Sequence, residues 1–120
     1  MDKTFLLMGA VAAFLAVAFG AFGAHGLRTR LSPDMLAVFE IAVRYQMYHA
    51  LALILVSLMV ARIGGWLYHA AGWCFAGGIV VFSGSLYALA LTGTGALGAI
   101  TPIGGLLFLV GWAFLVVAAF

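Results

Sequence analysis

The residues that could do chemistry are concentrated in the first half of one apolar stretch, Phe39 to Ala61, which reads FEIAVRYQMYHALALILVSLMVA. Its ionisable and hydrogen-bonding side chains are those of Glu40, Arg44, Tyr45, Gln46, Tyr48 and His49. A charged side chain costs roughly 2.5 to 3.5 kcal/mol at the centre of a membrane span, so polar groups persist there where they have partners or a task. The stretch therefore predicts a polar cluster at membrane depth.

Helical spacing places these groups on several sides of one helix. Glu40 and Arg44 are one turn apart, which suits an intrahelical ion pair, and Tyr48 follows on the same face. Tyr45 and His49 lie across the helix from them. A lipid-facing position is therefore excluded for most of these groups, which need polar protein surface, water or headgroups as neighbours.

Partners for the cluster are predicted on the two neighbouring apolar stretches. His25 ends the first one, and since consecutive spans with a short connection pack side by side, His25 and His49 are expected in the same half of the bilayer. Ser83, Ser85 and Tyr87 belong to the third stretch and are expected to bond to His49 or Gln46, or to carbonyls of their own helix. The predicted cluster thus lies between spans one, two and three.

Three kinds of chemistry are open to such a cluster. It could be a hydrogen-bonded plug that fixes helix register. It could be a proton or small-solute path, because histidine titrates near neutrality and Glu40 could exchange protons with it. It could also be a haem or quinone pocket, with His25 and His49 as axial ligands in the haem case. The sequence holds no nucleophile–base pair, metal cluster or phosphate loop, so we expect no enzyme activity, no cofactor and no metal.

Composition indicates the elements that position these residues. Of 120 residues, 68% are hydrophobic and only 7% are charged, far from the composition of soluble domains. A span needs about 20 apolar residues, so the chain is expected to be one integral membrane domain, an all-α bundle of four transmembrane helices over about 4–24, 39–61, 70–91 and 103–120. The net charge of +2 comes without a basic cluster, which argues against a nucleic-acid partner.

Local signals refine this arrangement. Ser32 before Pro33 resembles an N-cap with proline at the first helical position, which makes the second helix longer than the hydrocarbon is thick, so that it starts along the interface or is tilted. The small residues Gly9, Ala13, Ala16, Gly20, Gly23 and Ala24 favour close packing within the chain over a homodimer seam. The uncharged connection Thr92 to Pro102 is expected to dip into the interface or to be covered by protein.

The ends of the spans bear on location and orientation. The first apolar run is longer than the core of a signal peptide, so cleavage is not expected. Lys3 and Arg62 lie on one side, whereas Arg28 and Arg30 lie on the other with Arg44 just inside the span. The difference favours the first connection in the cytoplasm and both termini outside.

Four segments in this order, GAFGAHGL, FEIAVRYQMYHALAL, SGSLYALALTG and ITPIGGLLFLVGW, resemble the small four-span inner-membrane protein family of bacterial YgdD and YwdK. The likeness covers essentially the whole chain. It implies an integral protein of the cell (inner) membrane whose molecular function is uncharacterised. It also implies signature positions at the AHG histidine, the YQxxHA segment and the TPIGG turn, the last of which comprises Thr101, Pro102, Gly104 and Gly105.

The resulting expectation is a small integral membrane protein with a structural or interaction role and the lipid bilayer as its surroundings. The alternative is a proton-coupled or small-molecule transporter. That alternative favours a homo-oligomer, because four short spans leave little room for a complete pathway in one subunit.

Overall fold

The computed structural model describes residues 3–120, and four long helices account for most of them. Helix α1 is Thr4–His25, α2 is Pro33–Arg62, α3 is Trp66–Thr92 and α4 is Thr101–Ala118. Each lies in a segment long and apolar enough to cross a membrane, and no strand occurs within 3–120. The predicted fold class, all-α with four membrane-spanning helices, is confirmed.

The connections explain where the helices end. Ser32 caps α2 by accepting a hydrogen bond from the Met35 amide at 3.2 Å, with Pro33 in the first turn, as the sequence predicted. Gly64 and Gly65 join α2 to α3 with φ of 76° and 111°, values that favour glycine because it lacks a Cβ. Between this cap and this tight turn, α2 is a single 30-residue helix.

The uncharged connection after α3 contains one short 3₁₀ helix, Gly95–Ala99. Most of its residues are exposed, so of the two expectations for this connection, cover by the rest of the chain is wrong. The predicted TPIGG turn is also wrong, since all five residues are helical and α4 begins at Thr101. Pro102 is compatible with this, because a first-turn residue needs no backbone N–H partner.

The helices lie in chain order as a curved layer, and the bundle measures 47 × 26 × 18 Å. Helix α2 packs against α1 on one side and α3 on the other, and α4 packs mainly on α3. This order leaves one groove between α1 and α3 and another between α2 and α4. It also makes α2, which carries most of the polar residues, an inner member of the layer.

Small residues allow α1 to approach α2 closely. A Cβ on Gly9 would lie 2.7 Å from the Ala50 carbonyl oxygen, and one on Gly23 would overlap the Phe39 ring. Ala16 is buried as well. The interpretation as packing within the chain is confirmed for Gly9, Ala16 and Gly23, whereas Ala24 is exposed.

Helix α3 changes its winding in the middle. Residues Ile79–Ser83 form a π-helical turn between the α-helical parts Trp66–Gly78 and Gly84–Thr92. A π turn widens the helix locally and is frequent at functional sites. Here it turns Ser83 towards α2, and it lies where Gly104 of α4 meets the backbone of Phe82.

Candidate functional site

Gln46 joins three of the four helices. Its Nε2 donates a hydrogen bond to the Ala12 carbonyl of α1 at 2.8 Å, and its Oε1 accepts one from the Tyr87 hydroxyl of α3 at 2.7 Å. Gln46 is only 4% exposed, so both bonds lie out of contact with the surroundings. The bond that the sequence predicted between span three and Gln46 is thus made by Tyr87.

The two serines of α3 bond to different neighbours. Ser83 donates to the Ala42 carbonyl of α2 at 2.7 Å. Ser85 donates to the Phe82 carbonyl of its own helix at 3.0 Å and lies 2.6 Å from the Thr101 hydroxyl of α4. Because a hydroxyl has one proton, Ser85 accepts from Thr101. Both serines therefore connect helices.

His49 is also 4% exposed, and both of its ring nitrogens are hydrogen bonded. Trp112 Nε1 lies 3.0 Å from His49 Nε2, and His49 Nδ1 lies 2.8 Å from the Tyr45 carbonyl. An indole N–H only donates, so Nε2 is the acceptor and the ring proton is on Nδ1, from which it is donated to Tyr45. This pattern fits the neutral imidazole.

Aromatic rings surround the His49 imidazole. The Phe108 ring stacks on it with centroids 3.5 Å apart and planes 7° from parallel. Phe75 and Trp112 contact it at 5.5 and 5.9 Å between centroids. His49 therefore faces α3 and α4, and the prediction that places it in a cluster of spans one, two and three is wrong. The order of the helices is the reason, since α1 lies on the far side of α2.

His25 lies apart from this site. It is an exposed residue at the end of α1, and its side chain makes no hydrogen bond or ring contact within residues 3–120. The two histidines are not brought together, so the geometry does not support their pairing as axial haem ligands. The short connection set α1 beside α2 as predicted, but His49 points away from α1.

The expected ion pair between Glu40 and Arg44 does not form among the described residues. Both side chains are exposed and line a cleft of about 230 Å³ between α1 and α2. An exposed pair gains little Coulomb energy and loses side-chain entropy when it forms, so i,i+4 spacing alone does not enforce it.

Tyr45 and Tyr48 are exposed as well, at 39% and 52%, so the expectation that they avoid the outer face of the bundle is wrong. Their rings line a groove of about 760 Å³ between α2 and α4. The other lining residues are His49, Phe82, Pro102, Gly105, Leu106, Phe108, Leu109 and Trp112. Neither tyrosine hydroxyl has a hydrogen-bond partner in the described part of the chain.

The second groove, of about 580 Å³, lies between α1 and α3 on the other face of the layer. Gln46, Ser83 and Tyr87 are part of its lining, and the rest is almost entirely apolar. Phe19 contacts Tyr87 edge-on at 5.2 Å near one end. Because the polar atoms in this groove already have protein partners, it offers an apolar surface.

Sequence reasoning missed the contribution of α4, namely Phe108 and Trp112. A signal was available for Trp112, because a tryptophan inside an apolar span carries an N–H that needs an acceptor when it turns inward. Phe108 gives no such signal, since an apolar ring in an apolar helix indicates nothing about its partner.

The arrangement defines what chemistry these residues can do. In the described chain, every buried side-chain nitrogen or oxygen has a hydrogen-bond partner, and no three His, Cys, Asp or Glu side chains are grouped to hold a metal ion. The buried polar groups are therefore engaged in joining helices. Those at the outer face, Glu40, Arg44, Tyr45 and Tyr48, remain available to a ligand.

Comparisons with known proteins agree with this architecture. Residues 19–105 match the family described as protein of unknown function (DUF423). The chain is 48% identical to the UPF0382 membrane protein YwdK of Bacillus subtilis (strain 168), over 98% of this chain and 96% of that protein. It is 50% identical to a UPF0382 membrane protein of Staphylococcus epidermidis (strain ATCC 12228 / FDA PCI 1200), over 97% and 94%. No solved structure gives a significant match.

Proposed function

The chain belongs to the DUF423 family of unknown function, together with the UPF0382 membrane proteins, and we propose that it is a non-enzymatic membrane protein with a structural or interaction role. The observation that carries the proposal is the use of its buried polar groups. Gln46 bonds to α1 and α3, and His49 bonds to α4, so these groups hold the helices in register. Satisfied polar networks of this kind rigidify a core and specify one arrangement.

The transport alternative receives less support from the geometry. A proton relay would use Glu40 and His49, but Glu40 is exposed in a cleft between α1 and α2. His49 is buried towards α4 and has both nitrogens occupied. The two groups therefore face different sides of α2.

Reconstitution distinguishes the two roles. Purified protein in liposomes with an imposed pH gradient and an internal pH-sensitive dye is expected to dissipate the gradient no faster than protein-free liposomes. A faster dissipation that disappears in both Glu40→Gln and His49→Ala would overturn the proposal in favour of proton transport. Ser57→Ala, which removes only a bond within α2, is the control for a change unrelated to the relay.

A second candidate function, binding of a lipid-soluble small molecule, is favoured by the groove between α2 and α4. It is large and aromatic, and the hydroxyls of Tyr45 and Tyr48 have no hydrogen-bond acceptor within residues 3–120. A hydroxyl in an apolar medium without a hydrogen bond costs free energy, so a ligand with carbonyl acceptors and a flat ring, such as a quinone, suits the groove.

Tryptophan fluorescence tests this candidate, since Trp112 lines the groove. A short-chain benzoquinone is expected to quench the wild-type protein saturably, and the double variant Tyr45→Phe, Tyr48→Phe is expected to bind it several-fold more weakly. Tyr68→Phe, on the next helix, is the matched control. Equal affinity in the double variant would exclude the two hydroxyls as ligand contacts.

The cell (inner) membrane is the proposed location, with the termini outside. Support comes from the distribution of basic residues, with Lys3 and Arg62 at one end of the layer and Arg28, Arg30 and Arg44 towards the other. A C-terminal alkaline phosphatase fusion is expected to be active and a C-terminal fluorescent-protein fusion to be non-fluorescent, and the opposite pattern would reverse the orientation.

Self-association into a homo-oligomer is proposed only with the transport alternative, and cross-linking in membranes would detect it.

A further inference from the structure

Two opposite charges on the outer face of α2 have no ion-pair partner among residues 3–120. Glu40 and Arg44 are one turn apart, both are exposed, and no ion pair joins them or either of them to another residue within 3–120. They line the same cleft between α1 and α2, with Gly20, Gly23, Phe39 and Val43 as its other walls. This cleft lies outside the Gln46 and His49 contacts described above.

The depth of the cleft follows from the length of α2. Arg44 and Arg62 belong to one unbroken helix and are about 27 Å apart along it, at about 1.5 Å per residue. The hydrocarbon core is about 30 Å thick, so with Arg62 at one surface Arg44 lies at the opposite hydrocarbon boundary. Glu40 lies one turn further outward, at the level of the headgroups.

A cation at this boundary needs an anion, and the arginine side chain reaches towards lipid phosphates when the protein supplies none. Glu40 next to it disfavours a second negative charge at the outer end of the site. The ligand that fits both has a phosphate at the depth of Arg44 and a cation further out, at the level of Glu40. That order is the order of groups along the headgroup of an amino phospholipid.

We propose that this cleft binds the headgroup of phosphatidylethanolamine, with Arg44 on the phosphate and Glu40 on the primary ammonium. Gly20 and Gly23 form the α1 wall of the cleft, so no α1 side chain extends from that wall over the charges. A primary ammonium donates hydrogen bonds to a carboxylate, whereas the quaternary ammonium of phosphatidylcholine has no N–H. Phosphatidylglycerol has no cation for Glu40. The site is therefore selective for ethanolamine.

Native mass spectrometry of the full chain in detergent, titrated separately with phosphatidylethanolamine, phosphatidylcholine and phosphatidylglycerol, tests the proposal. The ethanolamine lipid is expected to bind roughly two- to fivefold more tightly than the choline lipid, a ratio in the range of one exposed ion pair. Glu40→Gln is expected to remove this difference in affinity. Arg44→Gln is expected to weaken the binding of the ethanolamine lipid and of the choline lipid equally.

Asp34→Asn and Arg62→Gln are the matched controls, because each removes an equal charge from α2 outside the cleft. Both are expected to leave the ethanolamine preference unchanged.

Equal binding of the ethanolamine and choline lipids by the wild-type protein would overturn the proposal, and so would a preference that persists in Glu40→Gln. Stronger binding of phosphatidylglycerol than of phosphatidylethanolamine would instead identify a general anionic-lipid surface that includes Arg28 and Arg30. An unchanged thermal unfolding midpoint in each variant excludes loss of folding as the cause.

Discussion

The indole of Trp112 and the imidazole of His49 form a hydrogen bond of 3.0 Å that joins α4 to α2 across a groove. It fixes the tautomer of His49, because the indole can only donate. It also holds the imidazole against Phe108, whose ring is nearly parallel to it. Helices α2 and α4 otherwise meet through ring contacts, those of Tyr45 and His49 with Phe108.

Replacing Trp112 by phenylalanine is expected to destabilise the protein. The ring is kept, but His49 Nε2 loses its donor in a buried position. Hydrogen bonds between membrane helices contribute about 0.6 kcal/mol on average and up to about 1.7 kcal/mol, so a loss of about 1 kcal/mol is expected. The unfolding free energy in detergent, measured by denaturant titration, provides the test.

Trp66→Phe is the control for this change. Trp66 is 70% exposed, and its indole N–H makes no hydrogen bond in the described chain. Its substitution is expected to leave the unfolding free energy almost unchanged. Equal effects of the two substitutions would contradict a specific role for the bond to His49.

A second prediction concerns the coupling of Gln46 with Tyr87. Gln46→Leu removes the acceptor of the Tyr87 hydroxyl as well as the donor to Ala12, whereas Tyr87→Phe removes only one bond. Gln46→Leu is therefore expected to cost more unfolding free energy, up to about 1.7 kcal/mol.

A double-mutant cycle measures this coupling. Since the single variants share one bond, their effects are expected to sum to more than the effect of the double variant, by about 0.6 kcal/mol. Strictly additive effects would mean that the Gln46 to Tyr87 bond contributes nothing to stability.

The fold was largely predictable from the sequence, because the length of each apolar run sets a membrane span. The start of α2 was predictable too, since Ser32 and Pro33 carry a specific capping signal. The π turn over Ile79–Ser83 and the helical TPIGG segment were not. Both depend on how closely α3 and α4 approach each other, and nothing local in the sequence reports that distance.

The site was predictable in part. Gln46 in an apolar span requires a partner, and a tyrosine on the next span is a natural one. The partner of His49 was mispredicted, since it depends on which face of α2 meets which helix. The ion pair predicted from charge spacing was wrong as well. Glu40 and Arg44 have the i,i+4 spacing of an ion pair, but both are exposed on the outer face and do not pair.

A third prediction concerns the contact between α4 and the π turn of α3. A Cβ on Gly104 would lie 2.7 Å from the Cα of Phe82, a distance that real side chains do not reach, so the helices would have to separate. Overpacking of this kind typically costs about 1 to 3 kcal/mol. Gly104→Ala is therefore expected to lower the thermal unfolding midpoint in detergent.

Gly105→Ala is a closely matched control, one residue further along the same helix. Its added Cβ would come no closer than 3.8 Å to Phe82, an ordinary van der Waals contact. Because alanine is better than glycine in a helix by about 0.8 to 1 kcal/mol, this variant is expected to be as stable as the wild type or more so. A similar decrease of the unfolding midpoint in both variants would show that the effect comes from the loss of glycine flexibility in α4. That result would contradict close packing at Gly104.

The last prediction concerns the hydroxyl pair that ties the start of α4 to α3. Thr101 donates to Ser85, which in turn donates to the Phe82 carbonyl, so the two bonds form a short chain. Thr101→Val keeps the shape of the side chain and removes its donor, while Ser85 retains its bond within α3. The expected loss of unfolding free energy is therefore small, about 0.6 kcal/mol, and it is confined to the start of α4.

Amide hydrogen exchange is expected to increase in the first turn of α4, around Ile103, and not in α1. Thr92→Val at the end of α3, whose hydroxyl bonds only locally, is the control. Faster exchange throughout the chain in Thr101→Val would show that the pair stabilises the whole bundle and does not act locally.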